Sequence, residues 1–293
     1  MLHGVSTELP GQSGGITEFL SRLSKARSRA LLLDYDGTLA PFTSPPAQPH
    51  PYPEVSDILR CIQRETDTRL VIVTGRHACD IPGLLGLTGI EIWGCHALER
   101  LRPDGSNEIA RVDPRLLAAI ETAGHLITCE GLAHLAERKT ASIAVHWRGH
   151  EEISEHVVQR MLRIWSLIPD RADLRFAPFD GGIEIRVANR DKGDAVRSIF
   201  PEMGPEVAMA YLGDDPTDED AFGALTRRGL NILVRNEYRP TLADAWIKPP
   251  EGLLSFLRSW LSACPTSSAI KSNRECIDAA NLSNKKATWR KRS

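Results

Sequence analysis

The chain lacks a long apolar run, a cysteine pairing pattern, a strong charge imbalance and an internal repeat. Each absence removes a class of protein. No apolar stretch approaches the roughly 20 residues that a membrane-spanning helix needs. Met1 to Gly15 is polar and glycine-rich, without a basic segment or apolar centre, which argues against a secretory signal. The six cysteines (Cys61, Cys79, Cys95, Cys129, Cys264, Cys276) form no Cys-x-x-Cys pair or other metal spacing. Scattered thiols in a chain this long suit a reducing compartment, and a cytoplasmic location is expected. A formal net charge of -2 gives no sign of a nucleic-acid or membrane-surface partner.

What is present is the composition of an ordinary globular protein, 42% hydrophobic and 25% charged over 293 residues. Ile16, Phe19, Leu20 and Leu23 recur at helical spacing, as do Val55, Ile58, Leu59 and Ile62. Apolar strands are expected at Leu31 to Leu33, Arg69 to Val73, Glu91 to Trp93, Ala208 to Leu212 and Leu230 to Val234. Strands alternating with helices imply an α/β fold with a doubly wound, Rossmann-like parallel sheet. The pattern changes between about Arg102 and Gly181, which reads as an inserted α+β cap domain. The expected division is a flexible N-terminus at 1–15, a core at 16–104 and 182–262, and a cap at 105–181. The strand Ile183 to Val187 either closes the cap or returns the chain to the main sheet. Residues 265–293 are polar and basic and are expected to be disordered.

Four polar clusters stand where strands run out. The first is Asp34-Tyr35-Asp36-Gly37-Thr38-Leu39, two carboxylates one residue apart at a break in the chain. On a regular strand they would face opposite ways, so both serve one site only where the backbone turns. Thr74-Gly75-Arg76, Lys192, and the acidic run Gly213 to Asp220 complete the set. In an open parallel sheet, ligands bind beyond the carboxyl ends of the strands. These residue types suit phosphoryl transfer. Asp34, rigidly placed after a buried strand, is the candidate nucleophile, and Asp36 the candidate acid and base. Thr74 offers a hydroxyl to phosphoryl oxygens, and Lys192 offsets charge. Crowded carboxylates around Asp214 call for a cation, and oxygen donors suit Mg²⁺. Asp218 to Asp220 also fit the acidic first turn of a helix, a role compatible with Asp214 reaching an ion.

In order and spacing these clusters resemble the motifs of the haloacid dehalogenase-like phosphatases, and Asp36 points to hydrolase or mutase chemistry. More specifically, Gly213-Asp214-Asp215-Pro216-Thr217-Asp218-Glu219 resembles the Gly-Asp-Asp-x-Thr-Asp-Glu of trehalose-6-phosphate phosphatases. Glu137-Arg138-Lys139, His146-Trp147-Arg148 and Gly182-Ile183-Glu184-Ile185 stand where that family carries its sugar-binding elements. The resemblance implies catalytic roles for Asp34, Asp36, Thr74 and Lys192. It implies substrate binding by Arg76, Glu137, Lys139 and Glu184, and a Mg²⁺ site at Asp34, Asp36, Asp214 and Asp218. The implied reaction is hydrolysis of trehalose 6-phosphate through an aspartyl-phosphate, with a sugar phosphate as the partner molecule and a functional pairing with a trehalose-phosphate synthase. Alternatives are another sugar-phosphate phosphatase, of the sucrose-phosphate or glycosyl-phosphoglycerate type, or a non-catalytic sugar-phosphate sensor. One departure concerns Gly94-Cys95-His96-Ala97-Leu98-Glu99, where Ala97 replaces a family glycine.

Overall fold

The computed structural model describes residues 15–41, 49–179 and 181–265. The expectations of a flexible N-terminus and a basic disordered tail fall on residues 1–14 and 266–293, outside the described residues. Twelve strands among the described residues form two sheets. They are β1 (Ser28–Leu33), β2 (Thr68–Val73), β3 (Glu91–Gly94), β4 (Glu99–Leu101), β5 (Asn107–Ile109), β6 (Ala136–Lys139), β7 (Ser142–His146), β8 (Leu174–Phe179), β9 (Gly182–Val187), β10 (Val207–Gly213), β11 (Leu230–Val234) and β12 (Ala245–Ile247).

The larger sheet has the order β12-β11-β10-β1-β2-β3-β4-β5, parallel from β12 to β3 and antiparallel at the β4 and β5 edge. Both faces are covered, and the strands show it by being apolar throughout. Leu31 and Leu33 of β1 pack on one side with Ile72, Leu212 and the closing helix Glu251–Ala263. Ala30 and Leu32 pack on the other with Val71, Tyr211 and the helix Lys192–Met203. Strand order reverses direction at β1, since β2 and β3 lie on one side of it and β10 to β12 on the other. That switch point opens a crevice at the carboxyl ends of β10, β1 and β2.

The smaller sheet, β6-β7-β9-β8, is antiparallel. Its inner face packs Ile143, Val145, Ile183 and Ile185 against the helices Pro114–Cys129 and Ser154–Leu167. Two boundaries differ from the sequence reading. The chain leaves the core sheet after Ile109 rather than at residue 104, because the β4–β5 hairpin extends the sheet edge. It returns after Val187 rather than at residue 182, because β9 pairs with β7 and β8. A strand with apolar residues on one face fits either sheet by pattern alone, and the pairing with β7 and β8 puts β9 in the cap.

Candidate active site

Asp34 directly follows β1, and its N–H still donates to Leu212 O at 2.9 Å, so the residue is held as the last rung of the sheet. The chain then tightens. Gly37 N–H donates to Ala40 O, and the N–H groups of Leu39 and Ala40 both reach Tyr35 O. Gly37 has φ 83, and a Cβ there would meet Asp214 Oδ2 at 2.2 Å. Only glycine brings the two acidic loops this close.

Lys192, first residue of its helix, reaches Asp34 Oδ1 at 2.7 Å and Asp218 Oδ1 at 2.8 Å. The helix start is fixed by a reciprocal cap between Asp191 and Asp194. Asp218 accepts two further bonds at Oδ2, from Asp214 N–H at 3.1 Å and Asp215 N–H at 3.0 Å, and one at Oδ1 from the Tyr211 hydroxyl at 2.7 Å. A carboxylate has about four acceptor positions, so Asp218 is saturated. It organises Lys192 and the Asp214 loop. Arg239 clamps that loop from outside, donating to Asp214 O at 3.2 Å and Asp215 O at 2.9 Å.

Asp34, Asp214 and Asp218 are buried and present ligand atoms within 4.8 Å of one another. Burial pushes the Asp34 carboxyl up to about 8 even against the Lys192 ammonium. Asp214 is also raised well above the carboxylate range, by burial first and then by Asp34, Asp218 and Asp215. Three carboxylates face one ammonium. The deficit is positive charge, and the free donors are hard oxygens, which fits a small divalent cation such as Mg²⁺.

Asp36, expected in both acid–base chemistry and metal binding, lines the cavity but its side chain turns to Arg76. Its two carboxylate oxygens are held by Arg76, Oδ2 by Nε at 2.6 Å and Oδ1 by Nη2 at 2.7 Å. The side chain is outside the Asp34–Asp214–Asp218 group. Arg76 thus grips Asp36 here rather than standing alone to meet substrate. Thr74 is fully buried after β2, with its N–H on Trp93 O, and its hydroxyl accepts from Arg76 N–H at 3.1 Å.

The cap supplies the opposite wall. Across the four strands, Glu137, Ala144, Glu184 and Ala177 stand in one register row. Successive residues on a strand face opposite ways, so this row faces the core while its neighbours fill the cap interior. The alanines leave room between the carboxylates. Glu184 is buried, accepts from Ser142 Oγ at 2.7 Å, and lies 3.0 Å from His96 Nε2 and 3.7 Å from Lys139 Nζ. Burial opposes its ionisation, but these partners outweigh it and hold the carboxyl well below the usual range. Burial lowers His96 below its ordinary value. At neutral pH the ring is therefore a neutral donor, and Lys139 is the cation paired with Glu184. Glu137 accepts from His146 Nε2 at 2.9 Å, and this bond holds its carboxyl down to about 2.

A cavity of about 460 Å³ separates the two walls, a size typical of small-molecule sites. Asp34, Asp36, Arg76 and Lys192 line it from the core, and Glu137, Lys139 and Glu184 from the cap. Sequence reasoning missed His134, His150 and Phe179, which also line it together with Arg148. Phe179 stands edge-on to His146, with ring centroids 5.2 Å apart, while Phe176 packs inside the cap on Trp165. Arg148 had a signal in the His146-Trp147-Arg148 run, but His134 and His150 had none.

The loop carrying Ala97 resolves the departure noted above. Cys95, His96 and Ala97 all adopt positive φ (48, 54 and 68). Each such residue costs about 1–2 kcal/mol, and the turn is held by Cys95 N–H on Arg76 O and His96 N–H on Thr74 O. Ala97 thus sits in the left-handed backbone region that glycine adopts without strain.

Comparison with known proteins agrees with this geometry. The chain is 29% identical over 267 residues to an uncharacterized glycosyl hydrolase of Mycobacterium tuberculosis, covering 86% of this chain and 19% of that one. It is 28% identical over 244 residues to a bifunctional trehalose-6-phosphate synthase/phosphatase of Thermoproteus tenax, covering 83% of this chain and 33% of that protein. The chain thus spans about a fifth to a third of these relatives' length. A solved Candida albicans trehalose-6-phosphate phosphatase C-terminal domain shares the fold with a TM-score of 0.73, at 20% identity, over 89% of this chain and 99% of that one. The fold is that of a haloacid dehalogenase-like hydrolase with a cap. The family profile described as trehalose-phosphatase matches residues 32–245, and the chain belongs to the trehalose-phosphatase family.

Proposed function

We propose that the protein is a Mg²⁺-dependent phosphatase that hydrolyses trehalose 6-phosphate to trehalose and phosphate. The observation that carries this reading is one cavity with two chemistries. A floor of Asp34 and Lys192, with Asp214 buried beside Asp34, suits phosphate and its cation, and the Glu137–Lys139–Glu184 wall suits a polyhydroxylated sugar.

Asp34 attacks phosphorus, the bond to the sugar oxygen breaks, and an aspartyl-phosphate forms. Asp36 gives the departing alkoxide a proton, then takes one from the water that releases phosphate. That role requires the Asp36–Arg76 pair to be exchanged when substrate enters, since Arg76 occupies both Asp36 oxygens. Arg76 then passes to the incoming anion. Lys192 keeps Asp34 oriented and offsets phosphoryl charge, and Thr74 donates its hydroxyl to a phosphoryl oxygen. Asp34 and Asp214 would hold the Mg²⁺, with Asp218 positioning both neighbours rather than binding it. When bound, the ion neutralises charge accumulating between nucleophile and phosphate. On the cap, Glu137, Lys139 and Glu184 accept from and donate to sugar hydroxyls, and an analogue lacking one leaves a buried partner unpaired. The fusion seen in the Thermoproteus protein supports a working pairing with a trehalose-phosphate synthase, whose product would be this substrate.

The test is phosphate release from a panel of sugar phosphates with Mg²⁺ and after chelation. Selective, metal-dependent turnover of trehalose 6-phosphate is expected. Preferred turnover of another sugar ester would move the substrate assignment, and tight binding without turnover would make the protein a sensor.

A further inference from the structure

Outside the phosphate site, three metal-ligating side chains meet at the junction of core and cap. His77 comes from the loop after β2, Cys95 from the loop after β3, and Glu99 from the first position of β4. His77 Nδ1 lies 2.9 Å from Glu99 Oε1. Cys95 Sγ lies 3.4 Å from the same oxygen and 3.5 Å from His77 Nδ1. The backbone builds this triangle. Cys95 N–H is tied to Arg76 O, and Ala78 N–H donates to Glu99 Oε2 at 2.9 Å. At Gly94 a Cβ would meet Ala78 N at 2.4 Å, so the His77 segment closes onto β3 only over a glycine. Cys95 and Glu99 are buried, while the His77 side chain is 36% exposed and leaves a path from solvent.

The triangle has the dimensions of a zinc site. Zn–S near 2.3 Å and Zn–N or Zn–O near 2.0–2.2 Å place tetrahedral ligand atoms about 3.3–3.7 Å apart. Both sulfur edges already match. The nitrogen–oxygen edge, drawn in by its hydrogen bond, has to open by about 0.4 Å to reach the same range. The donor set, thiolate with imidazole and carboxylate, is softer than the all-oxygen set at Asp34 and Asp214 and selects a different metal.

We propose that His77, Cys95 and Glu99 form a Zn²⁺ site, distinct from the phosphate site, with its fourth position open to water. On binding, the Cys95 proton passes to solvent and the thiolate sulfur coordinates. His77 gives up to solvent the Nδ1 proton it donates to Glu99 and takes one up at Nε2, so that Nδ1 offers its lone pair, and Glu99 coordinates through Oε1. No group is oxidised or reduced. Thr140 Oγ1, in the cap turn beside Lys139, donates to Glu99 Oε1 at 3.2 Å and forms the outer support of that ligand.

The experiment is titration of the metal-free full-length chain with Co²⁺, the spectroscopic stand-in for Zn²⁺. A thiolate-to-cobalt charge-transfer band should grow to one ion per chain and be displaced by Zn²⁺. Cobalt at the phosphate site meets only oxygen and gives no such band. Cys95→Ser should abolish the band while keeping Mg²⁺-dependent phosphate release, and Cys79→Ser should leave the band intact. His77→Ala should weaken cobalt binding by more than the about 10–100-fold that loss of an outer partner costs, and it answers the question if Cys95→Ser does not fold. No band in the wild type, a band surviving Cys95→Ser, or one abolished by Cys79→Ser would overturn the proposal.

Discussion

The core and cap walls of the cavity are built on opposite principles. On the core side, buried charges sit at strand ends and are fixed by backbone: Asp34 by the β10 pairing, Asp218 by four donors, Lys192 by a capped helix start. On the cap side, charges stand mid-strand in a row, with Glu137 side chain 47% exposed and Glu184 only 4%. The core resists rearrangement because each buried charge depends on another, and removing one partner typically costs about 3–5 kcal/mol. In the cap row the half-exposed Glu137 can be altered without leaving a deeply buried charge unpaired, whereas Glu184 is the counter-ion of the buried Lys139. Chemistry is thereby held constant while specificity is left adjustable.

Substitutions on the two walls should separate these roles. The largest effect is expected from Asp34→Asn, which should lower kcat for every ester by on the order of 10⁴-fold or more, since groups acting as a unit fail together. A variant that still turned over efficiently would remove Asp34 as nucleophile. Asp36→Asn should cost about 10²–10⁴-fold with a sugar ester. The loss should shrink for p-nitrophenyl phosphate, whose leaving group needs little protonation, and equal losses on both substrates would deny Asp36 the acid role.

Cap changes should be milder and substrate-dependent. Glu184→Gln and Glu137→Gln should each raise KM for trehalose 6-phosphate by about 10-fold, the equivalent of one charged hydrogen bond of about 1.5 kcal/mol. Turnover of p-nitrophenyl phosphate should be nearly unchanged. A uniform loss on both esters would instead make these residues part of the general architecture.

The smallest effect concerns pH. The Glu137 carboxyl is held at about 2 in the fold against an ordinary 4.5. A depressed carboxyl contributes stability that is complete above the ordinary value and is lost as pH falls through the folded one. Urea unfolding at stepped pH should therefore show a shallower decline between pH 4.5 and 2 for Glu137→Gln than for the wild type. Parallel declines would show that the Glu137–His146 bond adds nothing to folding.

Sequence by itself determined the layered architecture, because uninterrupted aliphatic strands such as Leu31 to Leu33 must be buried on both faces. It also determined which loops carry the chemistry, since Asp34, Thr74, Lys192 and Asp214 each end a strand or begin a helix. Tertiary structure decided how those groups are paired. Lys192 and Asp34 are 158 residues apart, and Asp36 and Arg76 are 40 apart, so no periodicity relates them. The saturation of Asp218, the row from Glu137 to Ala177, and the place of β9 all depend on register between strands distant in sequence. The same reason hid the His77–Cys95–Glu99 triangle. Cysteine spacing showed no metal pattern because the other two ligands are not cysteines, and they arrive from the loop after β2 and the start of β4.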